Sequence, residues 1–596
     1  MDDEKDIPRW RRFRQLKIDK STIKKRARRL ENVTVRHAHK FITNRWSNVR
    51  DVARHTTTWL VVVGLLIGLA FSQSLWLRQS YTTVAPGAGG TYAEGMIGRL
   101  ETINPLYASS TAEVSVAKLV FSSLLDYDRD NALRPNAAKS WNVSDDGKVY
   151  TVQLRDDVYW HDGERLTADD VLFTVKLMQN PLVRANQYGS WAGVKAAKTA
   201  SDTISFTLPS VYAPFAHSLT FGIVPQHLLK DVRPVDMREN DFGRQPVGSG
   251  PFLFKRLQVI DPAKDRLVAH MEANSRYYRG GPLLNRFQVH TYESYEALER
   301  AFRTSEVNAA LGLQATQVAG LVAGSNGDTA PDVLLEDGMY ALFNADSPVV
   351  GDKELRQALL RGTNRRAIIE SIAGRATLLD NPLLASHIGT SGKQAAYDQK
   401  KADSRLTELG WKLEGGIRKK EGVELALSVV APDSGDYKTV VNSLVSQWRE
   451  LGVKITVDFA NTQEIASNYL QPRNYDVLVY EFAIGSDPDV YPYWHSSQAK
   501  PSGLNFANYR SGLADDALSS ARARLDPSLR EAKYRAFAEQ WRADVPAIAL
   551  YQPYLSYVKN PDSTSLENGT SVADPATRYR DVERWSVSKI SVMTTP

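Results

Sequence analysis

The sequence contains no cysteine. That excludes disulfides, thiolate-ligated zinc, iron–sulfur clusters, a cysteine nucleophile and a lipid-modified cysteine anchor. The short motifs of common catalytic and nucleotide chemistry are also missing. There is no H-E-x-x-H, no G-x-S-x-G and no G-x-x-x-x-G-K-[ST]. Gly392-Lys393 is followed by Gln394 and lacks the first glycine of a phosphate loop. The ten histidines are scattered, and His161 and His495 each stand alone. Paired carboxylates occur (Asp169-Asp170, Asp515-Asp516), but at positions that suit helix starts and surfaces better than acid–base work. No fixed-period repeat or low-complexity tract is present. The expectation is a protein that is not an enzyme and holds no metal or cofactor.

What is present is an ordinary globular composition, 42% apolar and 24% charged over 596 residues. This length suits about four domains or two large ones. The net charge of +6 is unevenly spread. Residues 1–57 hold 17 Lys and Arg against 7 Asp and Glu, whereas the rest holds 57 against 61. A mildly acidic main body argues against nucleic-acid binding, which wants a basic face.

Between His55 and Arg78 lie 22 residues without a charge, with Trp59 and Trp76 near the ends. About 20 helical residues match a hydrocarbon core about 30 Å thick, and aromatic residues suit its two interfaces. A cleavable signal normally has a short charged leader and a small-residue cleavage site. Here 55 residues precede the apolar run and no clear A-x-A follows. The reading is a basic cytoplasmic tail over 1–55, a transmembrane helix over 56–77 and an outer portion beyond it, oriented by the positive-inside rule. A cleaved signal and a buried core helix are the alternatives. Residues 78–91, ending in the Gly- and Pro-rich TTVAPGAGGT, read as a linker.

Further along, Val149–Leu154 and Thr203–Leu208 alternate as strands, and Thr167 caps a helix running through Val171 to Met178. Leu425–Val430, Tyr437–Leu451 and Val453–Val457 read as strand, helix and strand. The helix carries an apolar stripe at Val440, Val441, Leu444, Val445, Trp448 and Leu451. A helix over Ser528–Ala543 and a strand over Ala547–Tyr551 complete an α/β pattern.

Seven segments in order carry a resemblance. They are Leu100–Leu106 (LETINPL), Leu119–Asp126 with Leu133–Ala137, and Asp156–Phe173 (DDVYWHDGERLTADDVLF). Gly248–Phe252 (GSGPF), Asn274–Leu283 and Leu355–Ile372 follow, then Asp487–Gln498 (DPDVYPYWHSSQ) with Gly503–Tyr509. From about Tyr92 to Val587 the chain resembles the bacterial extracellular solute-binding proteins of the peptide/nickel type, family 5. The resemblance implies a two-lobed, periplasmic-binding-protein-like α/β fold of the large peptide-binding cluster. Lobe one would be 88–337 plus 548–596, and lobe two 338–547. The implied function is the substrate-binding subunit of an ABC importer, here membrane-anchored. It would capture peptides by hinge closure and deliver them, as a monomer, to permease and ATPase subunits on other chains. A non-peptide solute (metal chelate, haem or sugar) and a non-transport sensor or chaperone are the alternatives.

The resemblance also implies a cleft. Glu481, Phe482, Ala483, Ile484 and Gly485 would line it from lobe two. Ile103, Asn104, Tyr188 and Trp191 would face it from lobe one. Peptide-binding relatives commonly place an Asp four residues before the cleft proline to hold the ligand's ammonium. Aligned on Pro488, that position is Ile484. Either Asp487 or Asp489 takes over, with Asp487 the better candidate, or the ligand lacks an N-terminal ammonium. Trp160 and His161 read as residues that hold the fold.

Overall fold

The computed structural model describes residues 49–593 except Asn326 and Ser391. Most of the basic tail read from the sequence therefore lies outside the described residues. The chain divides into a small unit reaching Ala85, joined by the chain end from Ser591, and a large unit, Pro86–Ile590.

The small unit contains helix α1 (Val49–Tyr81). Its span Thr56–Ser74 has a mean hydropathy of 1.6, and none of it is buried. At about 1.5 Å per residue those 19 residues reach across roughly 30 Å. Trp59, Leu60 and Ile67 are all exposed. A core helix would bury such side chains, so that alternative is gone; an anchor and a signal sequence both fit. The linker reading needs one adjustment. Thr82–Pro86 is a strand and pairs with Lys589–Met593, as its β-branched Thr-Thr-Val run allows.

The large unit starts with β1 (Thr91–Ile97), β2 (Ala138–Val143), β3 (Val149–Leu154), α2 (Ala168–Gln179), β4 (Lys195–Ala200) and β5 (Thr203–Thr207). It continues with β6 (Phe252–Asp261), β7 (Arg266–Ala273), β8 (Arg286–Tyr292) and β9 (Ala309–Leu311). Next come β10 (Asp337–Phe343), β11 (Ala376–Leu378), β12 (Ala426–Pro432), α3 (Tyr437–Glu450), β13 (Lys454–Ala460) and β14 (Val477–Ala483). Helix α4 (Pro527–Asp544), β15 (Ala547–Pro553) and β16 (Tyr557–Lys559) follow. The strands form a four-stranded sheet, β2-β3-β5-β4, and two six-stranded sheets, β16-β9-β1-β8-β7-β6 and β11-β15-β10-β14-β12-β13. The second six-stranded sheet draws all its strands from 337–553, and the chain then returns to the first through β16.

Local chemistry explains the elements. Thr167 and Asp170 close a capping box on α2, with the Thr167 N–H donating to Asp170 Oδ2 at 2.8 Å. In β3, Tyr150, Val152 and Leu154 are buried while the residues between are half-exposed, the period-two pattern of a one-sided sheet. The α3 stripe packs on β10, β12 and β14 in one core. Three of the resembling segments clasp one another. His161 Nε2 lies 3.0 Å from the Gly250 carbonyl, and the Gly248 N–H reaches His161 Nδ1 at 3.3 Å. Asn274 Nδ2 donates to the same Gly250 carbonyl at 3.0 Å. A Cβ on Gly248 would stand 1.9 Å from the Val120 carbonyl oxygen, so only glycine permits this approach. Burial depresses the His161 pKa to about 4, which keeps the ring neutral.

Candidate ligand-binding site

The segment Glu481–Gly485 forms the end of β14 and the turn that follows. Glu336 holds that turn: its carbonyl accepts the N–H groups of Ile484 (3.1 Å) and Gly485 (2.9 Å), and its carboxylate accepts the Ser486 hydroxyl (2.8 Å). Gly485 has φ of +74°, and a Cβ there would meet nothing within 4 Å, so backbone conformation is what favours glycine.

Within the segment the side chains diverge, as a strand requires. Phe482 is buried and stacks on Tyr493, ring centroids 4.3 Å apart. Ala483 is exposed, and its carbonyl accepts the Tyr493 hydroxyl at 2.7 Å. Ile484 is buried with Phe482. Glu481 lies near Asp337, close enough for each carboxyl to shift the other. Burial, with the Glu481 charge next to it, pushes the Asp337 carboxyl well above the usual carboxylate range. Burial, with Asp436 adding, raises Glu481 as well.

Asp487 and Asp489 follow the turn, and each meets an arginine. Arg530 on α4 grips Asp487 through both guanidinium Nη atoms, at 3.0 and 2.9 Å. His217 Nε2 stands 3.6 Å from the same carboxylate. Arg522 donates to Asp489 Oδ2 through Nε (3.0 Å) and Nη2 (2.8 Å), and the Tyr212 hydroxyl donates to that oxygen at 3.1 Å. Tyr212 and His217 adjoin the four-stranded sheet, so they reach the Asp487–Asp489 turn from the other part of the unit. A second polar seam lies at the start of α3. There the Gly435 N–H donates to the Tyr295 hydroxyl (2.7 Å), and the Ala315 N–H donates to Asp436 (3.1 Å).

The structure places the other expected residues as follows. Ile103 is buried, its N–H bonded to the Gly243 carbonyl at 2.7 Å. Asn104 is buried and holds a turn, its Oδ1 accepting the Leu106 N–H at 3.1 Å. Trp191 is buried edge-on against Phe206, Phe215 and Phe221. Tyr188 is exposed. Beside it, a cavity of about 180 Å³ is lined by Pro105, Ala108, Phe121, Gln187 and Phe221. The Gln187 side-chain oxygen is buried there without a partner. Glu481 and Asp487 therefore share the turn region, whereas Ile103, Asn104 and Trp191 are packed inside the protein.

Sequence reasoning passed over Asp337, Asp436, Tyr212, His217, Arg522 and Arg530. A signal existed for Asp337, because a charge heading the otherwise apolar run DGMYALF, buried throughout, is costly without a reason. The arginines lie in helical segments where surface solvation is the ordinary role, and nothing local marks them.

The family model for bacterial extracellular solute-binding proteins, family 5 Middle, matches residues 132–503. The chain belongs to this family. Among curated proteins, it is similar to the oligopeptide-binding protein AppA of Bacillus subtilis, 26% identical over 481 residues, covering 78% of this chain and 87% of that one. Among solved structures, AppA from Bacillus subtilis with a nonapeptide superposes with a TM-score of 0.69 at 24% identity, covering 84% of this chain and all of the other. NikZ from Campylobacter jejuni, solved with Ni(L-His), gives a TM-score of 0.69 at 25% identity over 83% of this chain and 99% of the other. The expected periplasmic-binding-protein-like α/β fold is thereby established, as is membership of a solute-binding rather than an enzyme family.

Proposed function

We propose that this protein is the membrane-anchored, peptide-capturing subunit of an ABC importer. Similarity to AppA along most of both chains carries the peptide reading. The exposed apolar helix Thr56–Ser74 supports anchoring, since the chain has no cysteine to lipidate. In this reading the tail is cytoplasmic and the two six-stranded sheets belong to two lobes, joined where the chain crosses between β9 and β10 and between β15 and β16. Several contacts between the parts are polar: Tyr212 with Asp489, His217 with Asp487 and Tyr295 with Gly435. Polar seams of this kind exchange readily for water. A ligand that bridges both parts then shifts the balance toward the closed form. The permease and ATPase would be separate chains, because no nucleotide motif is present.

The test is mass spectrometry of molecules released by denaturing the full chain after native purification in detergent. A ladder of short peptides is the expected result. A single metal chelate or other non-peptide species would overturn the peptide reading. Anchoring is tested by extracting membranes with alkaline carbonate and sequencing the N-terminus. Release into the supernatant with cleavage after the apolar run would make the helix a signal sequence.

A further inference from the structure

We propose that His217 is a proton-sensitive latch: its neutral ring holds the first part of the large unit against the Asp487 turn, and protonation releases it. This rests on the hinge closure read above and not on the identity of the ligand.

The seam that His217 crosses is closed around it. A Cβ on Gly147, in the turn between β2 and β3, would stand 3.0 Å from Leu525 Cδ1, so the loop before α4 lies directly on that turn. Arg522, at the end of the helix Gly512–Arg522, lies over the Tyr212 ring at 5.0 Å and over the Tyr491 ring at 4.2 Å, one ring from each side of the seam. Five residues after Tyr212, His217 sits in the short helical segment Ala213–Thr220 and reaches toward Asp487, with Nε2 3.6 Å from Oδ2.

Two features of this contact suit a neutral ring and not a charged one. Arg530 already pairs with both oxygens of Asp487, at 2.9 and 3.0 Å, so an imidazolium would be a second cation beside a carboxylate that has its counter-charge. The Tyr127 hydroxyl lies 3.0 Å from His217 Nδ1. With the ring hydrogen on Nε2, Nδ1 accepts that hydroxyl and the Nε2–H points toward Asp487. Protonation puts a hydrogen on Nδ1 as well, and the Tyr127 hydroxyl must turn its own hydrogen away. Burial lowers the His217 pKa from its ordinary 6.5; Asp487 pulls it up and Arg530 adds to the lowering.

The surrounding groups are few. His387, whose two buried ring nitrogens have no hydrogen-bond partner among the described residues, faces Asp487 from the helix Ala385–Ile388 and lies near His217 too. Asp126, Glu336 and Asp574 lie around Tyr127. Asp489, which holds Arg522 and the Tyr212 hydroxyl, titrates in the opposite sense, because burial raises its pKa. Acid would therefore tighten the Asp489 contact, and release in acid belongs to the histidine. Opening returns His217 to water, where it binds a proton more readily than in the closed form. Its contribution to closure is then fully present above about pH 6.5 and lost as pH falls, by up to about tenfold in the closed-to-open ratio per pH unit.

Because the chain has no cysteine, labels can be placed at will. Cysteines replace the exposed Ala200 on β4 and Ala536 on α4, and spin labels are attached to them. Pulsed electron paramagnetic resonance on the full chain in detergent then gives the distance between the two parts from about pH 8 to about pH 5.5. The expected result is a short distance that dominates at the upper end and gives way to a longer one in acid, with a tenfold or greater change in their ratio. His217→Gln keeps a donor toward Asp487 and an acceptor toward Tyr127 but takes no proton, and should keep its high-pH distribution throughout. Two populations whose ratio ignores pH, or a response that persists in H217Q, would overturn the latch and leave hinge closure intact. A single distance at every pH would overturn both. If H217Q does not fold, the wild-type scan still decides, because closure that tightens in acid would overturn the latch.

Discussion

The two six-stranded sheets both bury acidic side chains, and they treat them in opposite ways. In the first, Glu94 on β1 is fully buried and faces Arg578, whose Nε and Nη2 donate to its two oxygens at 3.0 and 2.8 Å. The Tyr579 hydroxyl donates to Glu94 too, and the Ser115 hydroxyl accepts from Arg578. Every charge there has its counter-charge within the fold. In the second sheet, Asp337 and Glu481 form no ion pair with a Lys, Arg or His among the described residues. A closed ion pair belongs to the architecture, whereas an acid pair with no cation costs stability. Burial differs as well: Glu94 and Arg578 are almost wholly buried, whereas Glu481 is only half-buried.

The largest effect should come from breaking the closed pair. R578M strands the Glu94 charge in a dry interior and should cost about 3–5 kcal/mol in urea unfolding. E94Q/R578M should recover much of that loss, since no unpaired charge remains. A single variant as mild as a surface substitution would show the pair to be dispensable. Acid comes next. His161 and His387 are held near pKa 4 by burial, below the ordinary value of 6.5. Their unfolded forms bind protons first, so stability is complete above about pH 6.5 and falls as pH drops toward 4. The loss is at most about 3.4 kcal/mol per histidine, read from Tm against pH. Third, D487N removes the partner of Arg530, an intermediate case near the turn. It should cost about 1–3 kcal/mol because the guanidinium is mostly buried.

The smallest effect has the opposite sign. D337N or E481Q should raise stability at neutral pH by about 1 kcal/mol, because like-charge repulsion disappears. The sign follows from linkage. Carboxyls whose folded pKa lies above the unfolded one bind protons better when folded, so their contribution is present in acid and lost as pH rises. Destabilisation by both variants at pH 7 would mean that the acid pair braces the strand ends.

Much of the fold was legible because it follows local rules. The strand at 149–154, the Thr167 cap, the helix from Tyr437 and the strand from Ala547 all stand where residue periodicity puts them, within a residue or two at most boundaries. The candidate site was legible in part. Glu481 and Asp487 were singled out through the resemblance around the DPD segment, yet the reading of Asp487 as an open cation site did not include Arg530. That partner is 43 residues away, on a helix whose own pattern says nothing about the turn. Likewise Asp337 is distant in sequence from Glu481 and comes near it only through the register of β10 with β14.

The sequence by itself determined the apolar span, the missing cysteine chemistry, the α/β alternation and the family, because each depends on residue type and spacing along the chain. Only the tertiary structure decided which acids are answered by arginines and which stand without a cation. Charge compensation acts over a few ångströms in space, and the fold brings those few ångströms together from residues hundreds of positions apart.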